Sequence, residues 1–174
     1  MVKILKRFLI CLCAIVFSSS IFIGCAEVSD SVVRIHIRAN SNSSFDQEVK
    51  LKVRDEIVKY ITPEIESCKT SDEVKVFLND NIEAIERLSD LVLQEHGCEY
   101  TTSASVNNEF FPSRDYDGVS FPADYYDALI VRLGSGIGDN WWCVAYPPLC
   151  FVNSSSDKVE YRSKLVEIIS KLLK

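Results

Sequence analysis

The side chains of this 174-residue chain that could form bonds or move protons are seven cysteines, two histidines and a scatter of acids. Cys143 and Cys150 bracket the most specific stretch, Asn140-Trp141-Trp142-Cys143-Val144-Ala145-Tyr146-Pro147-Pro148-Leu149-Cys150, which holds both tryptophans and an adjacent proline pair. A turn at Pro147-Pro148 brings the two Cα atoms toward the roughly 4.4–6.8 Å that a disulfide needs. Cys68 with Cys98 is then the second pair by elimination. Zinc is a rival use of these cysteines, but there is no CxxC, and His36 and His96 stand at no ligand spacing. Four free buried thiols, suited to a strict anaerobe, stay open as well. The loop Gly134-Ser135-Gly136-Ile137-Gly138 lacks the Lys-Ser/Thr of a phosphate loop and opens no helix, so it reads as a strand-to-strand turn. A thiol dyad of Cys143 with His36 or His96 is disfavoured by the expected oxidation of Cys143 and by the place of His96 at a helix end. Asp124 and Asp127, beside Tyr125 and Tyr126, flank a strand and read as solvated acids. Ser-His-Asp sets can be drawn in any chain of this size, and nothing here fixes their geometry. No catalytic residue, metal or small-molecule cofactor is assigned. The aromatic run is either a recognition surface, where rigid rings grip at low entropic cost, or a buried hairpin stapled for stability.

The compartment follows from the first 26 residues. Lys3, Lys6 and Arg7 precede an apolar run from Phe8, and small residues surround Cys25. Phe8 to Ile23 is 16 residues, short of the roughly 20 that a free-standing transmembrane helix needs. Residues 1–26 therefore read as a signal peptide or an N-terminal membrane anchor. Cleavage near Ala26 is the first reading, lipidation of Cys25 in a loose lipobox the second, and a retained anchor the third. Residues 1–26 hold three bases and no acid, which leaves 16 bases against 25 acids in residues 27–174 and a net charge of −9. That balance makes nucleic acid an unsuitable partner. The remaining 148 residues suffice for a single domain with its own core, and export makes disulfides durable.

The elements that must position these side chains form an α+β pattern: a small antiparallel or mixed sheet of about three to four strands, packed with two to three helices. Val33, Ile35 and Ile37 alternate with Arg34, His36 and Arg38, which predicts a half-buried strand with a basic polar face. Ser44 and Gln47 have capping-box spacing, and Phe45, Val49, Val53 and Ile57 predict a helix to about Tyr60, stopped by Pro63. Thr70 to Glu73 opens another helix, with Val74, Leu78, Ile85, Leu88 and Val92 inward and Gly97 as its C-terminal cap. Tyr100–Val106 and Tyr126–Leu133 read as strands, with Phe110-Phe111-Pro112 and Phe121-Pro122 punctuating between them. The Trp-Trp segment is expected to return as the hairpin partner of the Tyr126–Leu133 strand, so that Trp141 and Trp142 point to opposite faces. Ser154–Asp157 starts a last helix with Tyr161, Leu165, Ile168 and Leu172 on one side, which docks on the sheet or touches a membrane. Docking is preferred because its polar face is not strongly basic.

Arg34-Ile35-His36-Ile37-Arg38-Ala39-Asn40-Ser41, then Asp46-Gln47 and Lys50-Leu51-Lys52-Val53-Arg54-Asp55, is similar to the N-terminal signature of the stage II sporulation protein R family of endospore-forming bacteria. Phe121-Pro122-Ala123, Tyr126-Asp127-Ala128-Leu129, Val131-Arg132-Leu133-Gly134, Gly136 and Asn140 through Cys150 follow in the family's order. The resemblance spans about residues 32 to 152. It implies a non-enzymatic signalling protein, made in the forespore and exported into the space between forespore and mother-cell membranes, soluble or tethered there through the leader or a lipidated Cys25. Its partner would be a membrane-embedded aspartic protease of the mother cell, which removes the pro-sequence of sigma E. On that reading Trp141, Trp142 and Tyr146 are aromatic anchors, and Arg34, His36 and Arg38 are a charged face for an acidic partner surface. Structural duty competes for each of them. Asn40 and Asp46 read as turn and capping residues, and Arg54 with Asp55 as an ion pair. A cell-envelope enzyme and a structural component of the sporulation septum are the alternative functions.

Overall fold

The computed structural model describes residues 32–116 and 119–148. The leader with Cys25, Cys150 and the C-terminal segment expected to form a last helix lie outside the described residues.

Strand β1 (Val33–Arg38) is followed by three helices, α1 (Ser44–Ser67), α2 (Ser71–Asp80) and α3 (Ile82–Glu95). Strands β2 (Thr102–Phe111), β3 (Arg114–Tyr116), β4 (Val119–Phe121), β5 (Asp124–Leu133) and β6 (Asn140–Tyr146) follow among the described residues. Four strands form one mixed sheet in the order β2-β5-β1-β6, and β3 with β4 forms a separate two-stranded ribbon. The expected α+β class is observed.

Helix α1 starts one residue earlier than the capping-box spacing indicates. Ser43 is the N-cap, its Oγ accepting from the Asp46 amide at 3.1 Å. The helix also runs through Pro63 to Ser67. An interior proline costs about 3 kcal/mol or more, but continuing the helix buries Ile61 and Ile65 fully, in line with Val49, Val53 and Ile57. Each isoleucine contributes about 1.5–3 kcal/mol. The lost bond would fall on the carbonyl of Lys59, an exposed residue within reach of water. The predicted second helix is two helices. Asn81 breaks them, its amide donating to the Phe77 carbonyl at 2.9 Å while its Oδ1 accepts from the Tyr60 hydroxyl at 2.8 Å. Gly97 closes α3 as expected, at φ +75°.

The pairing of β6 differs from expectation. It lies antiparallel to β1, with Ile37 opposite Trp141 and His36 opposite Trp142, while β1 runs parallel to β5. β1 thus occupies the edge of β5 that a β5–β6 hairpin would have used. The glycine-rich connection must cross the end of β1, and it grips the turn there. Gly138 N donates to Ala39 O at 2.9 Å, Ser135 N to Asn40 Oδ1 at 3.0 Å, and Asp139 N to Asn42 Oδ1 at 2.6 Å. A Cβ on Gly138 would fall 2.3 Å from the Ser41 carbonyl oxygen, so this approach requires glycine.

The sheet separates two cores. Val33, Ile35, Ile37, Leu129, Val131 and Leu133 pack against the three helices. On the opposite face Val32, Phe111, Phe121, Tyr126, Ala128, Ile130 and Val144 form a smaller aromatic-rich core roofed by the β3–β4 ribbon.

Candidate functional site

The face of β1 turned away from α1–α3, helix-free among the described residues, carries the basic stripe, and the structure covers most of it. Arg34 is fully buried and His36 is 4% exposed. The expected solvent-facing row of three basic groups is therefore corrected to one half-buried arginine, Arg38, beside a covered arginine and a covered imidazole. Alternation placed these side chains on one face of the strand; it could not show that a second layer lies over that face.

Arg34 sits among four rings. Its guanidinium carbon is 4.5 Å from the centroid of Phe111, 5.1 Å from Tyr126, 5.6 Å from Tyr116 and 5.7 Å from Phe121. Cation–π attraction offsets part of the desolvation. Nη2 donates to the Tyr116 hydroxyl at 2.9 Å. Nε and Nη1 are buried with no hydrogen-bond partner among the described residues. Each unmet buried donor costs about 1–3 kcal/mol. Burial pulls the Arg34 pKa below the ordinary arginine value, partly countered by Tyr116 and Tyr126.

One turn of pleat away, His36 and Arg38 share Glu109. His36 Nδ1 is 2.9 Å from Glu109 Oε2, and Arg38 Nη2 donates to Oε1 of the same carboxylate. Glu109 pairs in register with Tyr126, whereas His36 and Arg38 pair with Ile130 and Arg132. Its reach back across several rows shows that the far end of the β2–β5 pair coils over the sheet face. Phe111 is carried with it, 5.8 Å from the His36 ring.

Trp141 and Trp142 occupy opposite faces, as alternation requires, and each is half-buried at the margin of a different core. Arg54 of α1 lies 5.4 Å from the Trp141 ring while donating to its neighbour Asp55 at 2.8 Å. Trp142 lies between His36, at 5.5 Å, and the guanidinium of Arg114, at 4.6 Å. Tyr146 is tied down by its hydroxyl, which donates to Lys69 O at 2.8 Å. The three aromatics do not form one patch. Trp142 alone joins the helix-free face, together with Arg38, Arg114, Arg132 and Glu109. The sequence reading passed over Glu109, Arg114 and Tyr116. The signal for Glu109 was its place two residues before Phe111 in a strand otherwise made of Ser, Thr, Ala, Val, Asn and Phe.

The cysteines divide. Cys143 is disulfide-bonded, and Cys150, its expected partner, lies outside the described residues. Cys68 and Cys98 are free thiols, which corrects the pairing reached by elimination. Cys68 caps the C-terminal end of α1. Cys98 donates to Tyr100 Oη at 3.4 Å, and that hydroxyl donates to Asp46 at the helix's first turn. The length of α1 from Asp46 to Cys68, about 33 Å at 1.5 Å per residue, keeps the two apart. Cys143 pairs with Ile35 and so projects to the opposite side of the sheet from His36. His96 holds the Val92 carbonyl at 2.8 Å. No thiol–imidazole dyad is assembled among the described residues, and no group of three metal ligands occurs among them.

Asp46 is a positioning residue. Its carboxylate accepts from Ser41 Oγ at 2.5 Å, Asn40 Nδ2 at 3.0 Å and Tyr100 Oη at 2.6 Å. Desolvation pushes its pKa up, but the hydrogen bonds from Ser41, Tyr100 and Asn40 prevail and hold it below the usual carboxylate value. Asn40 and Ser41 of the basic-strand signature thus serve the β1–α1 turn. Behind the helices, Leu88, Leu91 and Val92 with Asp55, Glu56 and Glu95 line an open groove of about 460 Å³.

The sequence pattern of the family described as Stage II sporulation protein R matches residues 29–156. The Stage II sporulation protein R of Bacillus subtilis (strain 168) is 29% identical over 164 residues, covering 87% of this chain and 73% of that protein. No solved structure matches the chain.

Proposed function

The chain belongs to the Stage II sporulation protein R family, and from that premise we propose that it activates a membrane-embedded aspartic protease of the mother cell, which in turn processes pro-sigma E. The match over residues 29–156 carries this reading, because it includes both cores and the whole of the helix-free face. The protein acts as a ligand: it is exported from the forespore through its leader and binds the extracytoplasmic part of the protease. Binding moves the protease only by its differential affinity for the active and inactive states. A rigid sheet bearing Trp142, Arg38, Arg114 and Arg132 on one face suits that task, since aromatic and arginine side chains dominate the binding energy of protein interfaces.

The test is co-expression of this chain, the protease and the pro-sigma substrate in a non-sporulating bacterium, with processing followed by mobility shift. Processing is expected only when the chain and its leader are both present. A folded, exported chain that leaves the substrate unprocessed, beside a protease that responds to another activator, would overturn the reading.

A further inference from the structure

Resting on that reading, we propose that Arg34 and its ring cage form a carboxylate-binding site, covered by the β3–β4 ribbon and opened by an acidic peptide segment of the partner. Three observations meet there. Arg34 is completely buried, yet Nε and Nη1 have no hydrogen-bond partner among the described residues. A guanidinium in a low-dielectric site is normally matched to an anion, and here its neighbours are four aromatic rings and the tyrosine hydroxyls of two of them. The cover is a separate ribbon: β3 and β4 pair with each other and with no strand of the main sheet, and side-chain contacts alone seat it on the aromatic core. Tyr116 and Phe121 supply its rings, and Tyr116 ties it down by accepting from Arg34 and donating to Trp142 O at 3.4 Å.

The surrounding charge selects the occupant. The domain is acidic overall, yet Arg34, Arg38, Arg114 and Arg132 gather around this face, and the Glu109 carboxylate already bridges His36 and Arg38. The same face thus shows how a carboxylate is held by the basic side chains of strand β1. An acidic peptide that lifts the ribbon would meet Arg34 with two donors free and would find the ring faces of Phe111 and Tyr126 for its apolar neighbours.

Arg34→Met and Tyr116→Phe separate this site from a purely structural cation. Arg34→Met keeps the length and fills the cage with apolar atoms. It is expected to melt at or above the wild-type temperature while pro-sigma processing falls at least tenfold. Tyr116→Phe removes the tie and leaves the ring, so amide exchange in residues 114–116 and 119–121 should quicken and processing should rise. In the protein recovered after export, a glutamate-rich peptide should shift the Arg34 Nε–Hε resonance, and more strongly in Tyr116→Phe. The site is overturned if folded Arg34→Met processes at the wild-type level, if it loses its melting transition, or if Tyr116→Phe falls with it. A resonance shift by phosphatidylglycerol vesicles and none by the peptide would replace the peptide with a lipid headgroup and also overturn it. Should the wild-type chain give no processing, the activator reading fails, and the peptide titration still decides the site.

Discussion

Asp46 shows how a single side chain couples pH to stability in this fold. Its folded pKa lies below the unfolded value, so its contribution is present above the ordinary aspartate pKa of about 3.9 and is lost as pH falls through the folded value. Asp46→Asn should lower the melting temperature at pH 7, and the gap to wild type should narrow below about pH 4; melting curves from pH 2 to 7 check it. Cys68 offers a second residue-level measurement. Burial, then the charges of Glu73 and Glu64, push its thiol above the ordinary cysteine value. Alkylation of native protein at pH 7 should therefore be slower at Cys68 than in a free peptide, and no Cys68–Cys98 crosslink should appear by peptide mapping. Trp142 is half-buried, and truncation to alanine should cost about 1.5–2.5 kcal/mol, half the loss of a fully buried tryptophan. A folded Trp142→Ala protein that still binds the protease normally would remove this ring from the interface.

Elements were legible in the sequence where burial follows from local spacing. The α1 stripe could be read from its four-residue period, and β1 from its alternation, because each has one face on the large core. Alternating polar residues imply water over the basic face of β1, and the ribbon that excludes it comes from residues 114–116 and 119–121, far along the chain. The position of β6 was hidden for a related reason. A short connection suggests a hairpin, whereas here β1, some hundred residues earlier, fills the space between β5 and β6. The glycine-rich loop was read as a turn, and its glycines have a further reason: Gly138 passes within a Cβ's breadth of Ser41. Gly138→Ala should destabilise by about 1–3 kcal/mol, the usual cost of overpacking, because the obstacle is backbone. Chemical denaturation at constant m-value measures it.

For the whole molecule, one edge of the sheet is closed by side chains of a helix. The outer edge of β2 is closed by α3, whose Glu86 and Asp90 carboxylates accept from the Ala104 and Thr102 amides at 2.7 Å each. Such capping blocks strand addition. Glu86→Ala with Asp90→Ala should raise the tendency to self-associate, seen by light scattering, with little change in helix content. The two tryptophans also divide the molecule into separately observable halves, Trp141 reporting the helical core and Trp142 the ribbon-covered one.

The central place of β1 also constrains how the protein is made. Both of its neighbours, β5 and β6, come from the last third of the described chain, and the β5–β6 loop clamps the turn that follows it. A chain emerging N-terminus first can form its helices early, but its middle strand waits about a hundred residues for a partner, a topology of high contact order. Until β5 has emerged β1 has no strand partner, and until β6 follows its second edge stays open. The last described strand to appear therefore encloses the first, and the two ends of the described fold are locked together in one step.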